Sequence, residues 1–357
     1  MTEEISSLTD GFPVVVDVHA HYVPSSLLSA DRRITIRRDE NWGRCVCFED
    51  RYLGPLTPEL TEVSLMIENM ERCGLSHRIC CTASWLGFYW TEPEMGRFLA
   101  RATNEGIASA LARYPNRLLG LATVPLQDVE GAVEELRHAI GVLGLAGVAV
   151  GTNVNGAYFD DPRFDPFFEV VQELEVPVFF HPDEVAGRER MGDYWLTRLL
   201  GNPHEAALSL SRVILGGVLE RFPRLRLCFP LGGGTFAYLL GRIEHGWRVR
   251  PEARVKAPKR PLTYLGRCYF DTIVHSQASF EFLVRTVPVS NLVLGSDYPW
   301  DMGDPDPRRL VEVAANLTPS QRADVLGRNV ERLLGIRLSQ TRERQVDDLG
   351  SAPEGRG

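Results

Sequence analysis

The 357-residue sequence is 44% hydrophobic and 24% charged, which excludes collagen-like, low-complexity and wholly disordered chains. Its 39 basic residues against 47 acidic ones leave a formal charge of −8, so nothing global favours nucleic acid or anionic lipid. The seven cysteines are odd in number and scattered, no apolar run reaches the length of a membrane span, and the acidic start MTEEISSLTDG is no secretory signal; a reduced, cytoplasmic protein is expected.

In chain order, short β-branched runs alternate with longer amphipathic stretches. Strands are expected at 14–22, 78–83, 118–124, 147–152, 177–181, 226–230, 268–274 and 292–297. Helices are expected at 58–73, 92–114, 128–143, 165–174, 204–222 and 279–287. Strands alternating with helices mean βαβ units on a parallel sheet, and eight such units predict an α/β fold closed as a (β/α)8 TIM barrel. An open dinucleotide-binding sheet is disfavoured because no GxGxxG follows the first strand. Residues 25–56 are too long for a simple βα loop and read as an inserted hairpin or lid at the catalytic end of the barrel. The stretch 338–357 is nearly devoid of apolar residues and reads as a disordered tail, leaving a single domain over 1–337.

Four residues fall at or just past strand ends. His19 and His21 sit in VVVDVHAHY, His181 ends VPVFFHP, and Asp297 follows in LGSDYP. Alternation places His19 and His21 on one face of their strand. Neutral imidazoles with one carboxylate are what a zinc-class divalent ion needs while keeping a coordination position open. An HxH pair alone is a weak signal. The ordered set of four is a strong one.

DVHAHYVP, FFHP and LGSDYP, in this order and spacing, resemble the amidohydrolase superfamily and, more closely, the aminocarboxymuconate-semialdehyde decarboxylase family. The resemblance runs over about residues 14–336, with further support at 147–156, 194–207, 216–229, 232–247 and 292–303. It implies a distorted barrel holding one divalent ion, usually zinc with manganese or iron as alternatives, on His19, His21, His181 and Asp297. It also implies a small carboxylic acid as substrate. Arg242 matches a family arginine that binds substrate carboxylate in the neighbouring subunit's site, which implies a homodimer. The resemblance offers Arg51 as a second carboxylate clamp, with a plain surface arginine as the alternative, and Trp90 and Trp195 match aromatic positions that wall the pocket, with core packing as the alternative. His275, at the end of the seventh strand, is expected toward the mouth, with a structural histidine as the alternative reading. His204 reads as a surface residue at a helix start.

One departure is chemical. The family pattern Cys-Phe-Ala-His-Gly-Gly-Gly reads CFPLGGG here, so Leu231 stands where the family's general base stands. Leucine can neither accept a proton nor hydrogen-bond to water. The loss weakens water-dependent chemistry most, because a positioned base contributes about 10²–10⁴-fold. The expected function is therefore a metal-dependent decarboxylase of a small unsaturated or aromatic acid, with Asp297 moving the proton. A hydrolase or hydratase, and a catalytically silent ligand-binding barrel, are the alternatives. The triple glycine at 232–234 is expected to let the chain pass close to the metal.

Overall fold

The computed structural model describes residues 14–40 and 43–338. All but the first residue of the expected disordered tail lies outside the described residues, as does the acidic N-terminus. Eleven strands occur in chain order: β1 Val16–His21, β2 Ile34–Asp39, β3 Gly43–Phe48, β4 Arg51–Pro55, β5 His77–Cys81, β6 Leu118–Ala122, β7 Gly147–Gly151, β8 Val178–His181, β9 Leu227–Phe229, β10 Cys268–Asp271 and β11 Leu292–Val293. Eight of them form one parallel sheet in the order β1-β5-β6-β7-β8-β9-β10-β11. The first and last strands meet through Val18 N donating to Leu294 O at 2.8 Å and a parallel bridge between Ala20 and Tyr298. This is the expected (β/α)8 barrel.

The principal helices return the chain between strands: α1 Val63–Cys73, α2 Pro93–Leu111, α3 Val129–Gly141, α4 Asp165–Glu173, α5 Asn202–Leu215, α6 Phe236–Val249 and α7 Gln277–Thr286. Local chemistry sets the ends of several of them. Asp128 caps α3 by accepting from Gly131 N, Ser276 caps α7 by accepting from Ser279 N, and Gly74 closes α1 in the left-handed region. A last helix, α8 (Asn329–Leu334), contributes Val330, Leu333 and Leu334 to the cluster formed inside the barrel by Val16, Val18, Ile79, Leu121, Phe179 and Val293. It plugs one end, leaving the other for a site.

The insertion is a three-stranded antiparallel sheet, β2-β3-β4. Its Ile34, Val46 and Phe48 pack against Leu60, Leu86, Phe88 and Leu99. It is a packed element seated beside the loops after β1 and β5.

Two features of β1 set up the chemistry. Its pairing with β5 shifts register between Asp17 and Ala20. A bulge of this kind re-aims side chains, so the consecutive Val18 and His19 both line the same internal cavity. Asp17 is fully buried and ties the seam together. It accepts from Arg78 Nε at 2.8 Å, Ser296 Oγ at 2.6 Å, Ser296 N at 2.9 Å and His19 N at 3.1 Å. Arg78, also fully buried, donates to Asn69 Oδ1 at 2.8 Å and lies 4.4 Å from the centre of the Tyr298 ring. A buried ion pair is stable only when its remaining hydrogen-bonding groups are occupied, and here they are.

Candidate metal centre and its rim

His19, His21, His181 and Asp297 converge at the C-terminal ends of β1, β8 and β11, with one donor atom from each inside a 4.8 Å span. The three rings meet edge to face with centroids 5.0–5.3 Å apart. Asp297 Oδ1 lies 2.9 Å from His21 Nε2 and 3.3 Å from His19 Nε2. Asp297 itself has φ +60°, and its N–H bonds to His19 O at 2.8 Å, which fixes the last strand end against the first.

Each imidazole is held from behind. His19 Nδ1 is 2.9 Å from Asp271 Oδ2, His21 Nδ1 is 3.2 Å from Thr82 O, and His181 Nδ1 is 3.1 Å from Pro182 O. Acceptors at all three Nδ1 atoms place the protons there and leave the Nε2 lone pairs facing the centre. His19 Nε2 is buried and has no hydrogen-bond partner in this arrangement. An unpaired buried nitrogen is costly, and a metal ion at the centre would satisfy it. The donor set therefore fits a divalent cation.

The field of the site agrees. Burial works against charge on His19, but Asp297 and the bond to Asp271 outweigh it and raise its pKa. His21 is likewise opposed by burial and raised well above the ordinary value by Cys81 and Asp297. His181 is pushed well below by burial and by the other two imidazoles. Burial would raise Asp297, yet His19 and His21 hold it down to about 2. Positive charge is drawn to His19 and His21 by their carboxylate and thiol neighbours, while His181 resists it.

Asp271 carries more than one duty. Besides His19, its Oδ1 accepts from Gly232 N at 3.0 Å and Ile273 N at 3.2 Å, so it joins β10 to the turn after β9. Sequence reasoning singled out His275 from this strand and passed over Asp271. The available signal was an acid at the last residue of a barrel strand. Cys81, 3.5 Å from His21 Nδ1, was likewise counted only among reduced thiols.

The residues expected on the substrate side are dispersed. Arg51, at the start of β4, stacks over Trp90 with its guanidinium 4.1 Å from the ring centre. Trp90 is half-buried against Phe48 and Phe88. Trp195 is exposed, with φ +59°. Leu231, half-buried with φ +56°, opens the turn after β9. His275 is exposed, four residues past β10, and forms no hydrogen bond among the described residues. Arg242 is exposed on α6 and, with His204 and Trp247, lines a groove of about 380 Å³ between α5 and α6 on the outside of the barrel. The triple glycine serves a different approach from the one expected. A Cβ at Gly234 would lie 1.7 Å from Pro203 O, so the chain there passes close to the start of α5.

The family described as Amidohydrolase matches residues 16–336. The 2-amino-3-carboxymuconate-6-semialdehyde decarboxylase of Dictyostelium discoideum is 32% identical over 331 residues, covering 90% of this chain and 91% of its own length. A gamma-resorcylate decarboxylase of Rhizobium sp. (strain MTP-10005) is 30% identical over 213 residues, covering 56% of this chain and 63% of its own. The crystal structure of 5-carboxyvanillate decarboxylase from Sphingomonas paucimobilis superposes with a TM-score of 0.77 at 22% identity, covering 91% and 100% of the two chains. At that identity the likeness is one of fold.

Proposed function

The chain belongs to the amidohydrolase family, and from that premise we propose that it is a metal-dependent carboxy-lyase releasing CO2 from a small unsaturated or aromatic carboxylic acid. The observation that carries this reading is the convergence of His19, His21, His181 and Asp297 in a chain that matches a named decarboxylase over 90% of its length. These four residues would hold the ion. Zinc suits three imidazoles and a carboxylate, and manganese or iron suits the same set. Bound there, the ion supplies Lewis acidity toward substrate oxygens.

The chain's own groups do the rest. Decarboxylation breaks the C–CO2 bond, leaves the electron pair on carbon and needs a proton delivered to that carbon. Asp297, held down to about 2, is a carboxylate at neutral pH. It must first accept a proton from substrate or solvent, and then return it to the carbon that CO2 has left. Leu231 cannot compete for that proton and lines the turn with apolar surface. Arg51 at the rim and Arg242 on the outer face are the carboxylate clamps, bidentate by nature. Arg242 would reach a partner's site in a homodimer built on the α5–α6 groove. The free cysteines, all buried except Cys73, suit a reducing cytoplasm, and no helix among the described residues is long and apolar enough to cross a membrane.

The test is CO2 release from a panel of hydroxylated and aminated benzoic acids and unsaturated dicarboxylic acids, using metal-loaded protein. Turnover of at least one acid, abolished in Asp297→Asn, is expected. Hydrolysis of amides or esters without CO2 release from any acid would contradict the reading.

A further inference from the structure

The rim carries charged groups that the chemistry above does not use. Asp183 stands two residues after His181, at the exit of β8. Its backbone is locked to the exit of β7: its N–H donates to Thr152 Oγ1 at 3.1 Å, and its carbonyl accepts from Asn153 Nδ2 at 2.8 Å. The side chain is half-buried beside Tyr89. A Cβ added to Gly151 would lie 3.1 Å from Tyr89 Cε2 and 3.4 Å from Asp183 Cβ, so the three residues crowd together at the exits of β7 and β8. Tyr89 is itself fixed there, its hydroxyl oxygen accepting from Gly151 N at 3.2 Å.

Only half of the Asp183 carboxylate is occupied. Oδ1 accepts from Glu184 N at 3.0 Å, and Glu184 adopts φ +40° in making that turn. A side-chain-bearing residue in the left-handed region costs energy and persists where the surroundings impose it, often at functional sites. Oδ2 has no hydrogen bond and no ion pair among the described residues. Burial pushes the Asp183 carboxyl up to about 6, with the charges of Arg198 and Arg51 opposing it only weakly. Neither guanidinium closes to an ion pair with it among the described residues, and Arg51 is stacked on Trp90 instead. A structural carboxylate would be expected to have taken one of these two arginines.

Resting on the decarboxylase reading, we propose that Asp183 determines specificity by accepting a hydrogen bond, through Oδ2, from an amino or hydroxyl donor on the substrate. The logic is asymmetric. A substrate with a donor at this place pairs the oxygen as it displaces water. One with a methyl or methoxy group there strips the water and leaves a carboxylate oxygen unpaired, which costs far more than a missing methylene. Placement on the loop after a barrel strand, next to a candidate metal ligand, puts the acceptor where pockets in such barrels read their substrates.

The experiment compares binding and turnover of 2-hydroxy- and 2-aminobenzoates with those of their methoxy and dimethylamino counterparts. It uses full-length, metal-loaded wild type, Asp183→Asn and Asp183→Leu. Masking a hydroxyl also disturbs its contact with the metal. The quantity read is therefore the change in donor preference between wild type and variant, which cancels that contribution. The wild type should favour free donors, and Asp183→Leu should lose about tenfold or more of that preference. Metal content should stay near wild type, and the masked acids should bind Asp183→Leu at least as tightly as they bind wild type, because no carboxylate oxygen is left to strip of water. Asp183→Asn keeps the shape and an acceptor oxygen, so it should fold like wild type and fall between the two. An equal preference in all three proteins, or none in wild type, overturns the assignment. Asp183-dependent preference in binding with no CO2 from any acid would instead overturn the decarboxylase reading and leave the specificity role standing.

Discussion

The floor of the site and its rim are built in opposite ways. The floor residues His19, His21 and His181 lie in barrel strands, with Asp297 on the segment after β11 at φ +60°, and each imidazole has its Nδ1 against an acceptor. The rim residues Arg51, Asp183, Trp195, Leu231 and His275 lie on loops or on the inserted sheet, and Trp195, Leu231 and His275 have positive φ. Arg51, Trp195 and His275 are also exposed. A floor fixed by the barrel suits chemistry that requires sub-ångström placement, and a rim on loops suits recognition that varies between relatives. Perturbing the floor should cost fold and metal. Perturbing the rim should cost substrate preference.

The largest effect is expected beneath the floor. Asp17→Leu leaves Arg78 charged, buried and unpaired, and should lower unfolding free energy by about 3–5 kcal/mol in a denaturant titration. A loss below about 1 kcal/mol would mean that the seam between first and last strands is held by something else. Next comes Asp271→Asn, which weakens the hold on His19 Nδ1. It should cut metal affinity about 10–100-fold, measured by competition with a chelator, while the protein stays folded.

At the rim the expectation reverses. Leu231→His should leave metal content unchanged and move the native rate by less than about tenfold, because the proposed reaction assigns the proton transfer to Asp297. A rise of about 10²-fold or more, the contribution of a positioned base, would show that the site had been waiting for its histidine.

The smallest effect separates scaffold from site by pH. His77, buried in β5, has its pKa lowered from 6.5 by burial first and by Arg117 second. The unfolded chain thus binds this proton more readily than the folded one. The stability held by neutral His77 is fully present above pH 6.5 and is lost as pH falls below it. His77→Gln should flatten the fall in stability between pH 7.5 and 5.5 without altering metal content. An unchanged slope would place the acid sensitivity elsewhere.

The floor was largely legible in the sequence because its residues announce themselves locally. An HxH on a β-branched run, a histidine ending another and an aspartate after LVLG need only strand periodicity to be placed at one end of a barrel. Seven of the eight barrel strands fall within the expected ranges and β5 starts one residue early, at His77, while the last ladder pairing stops at Val293 where a strand to 297 was expected. The backbone beyond it still bonds to β1, through Leu294 O, Asp297 N and Tyr298 O. What stayed hidden is long-range. Asp271 is 252 residues from His19, and the register shift that turns both Val18 and His19 inward leaves no mark in the composition of β1. Asp183 escaped because its interest lies in an unpaired oxygen, which no sequence pattern displays.

The central claim is that four strand-end residues hold one divalent ion on which CO2 release depends. The direct measurement is metal content alongside CO2 release for wild type and His181→Ala, before and after chelation and reloading with zinc or manganese. Wild type should carry about one ion per chain, lose activity on chelation and regain it on reloading. His181→Ala should hold little metal and stay inactive after the same treatment. Full metal retention in His181→Ala, or CO2 release that survives complete metal removal, would contradict the account.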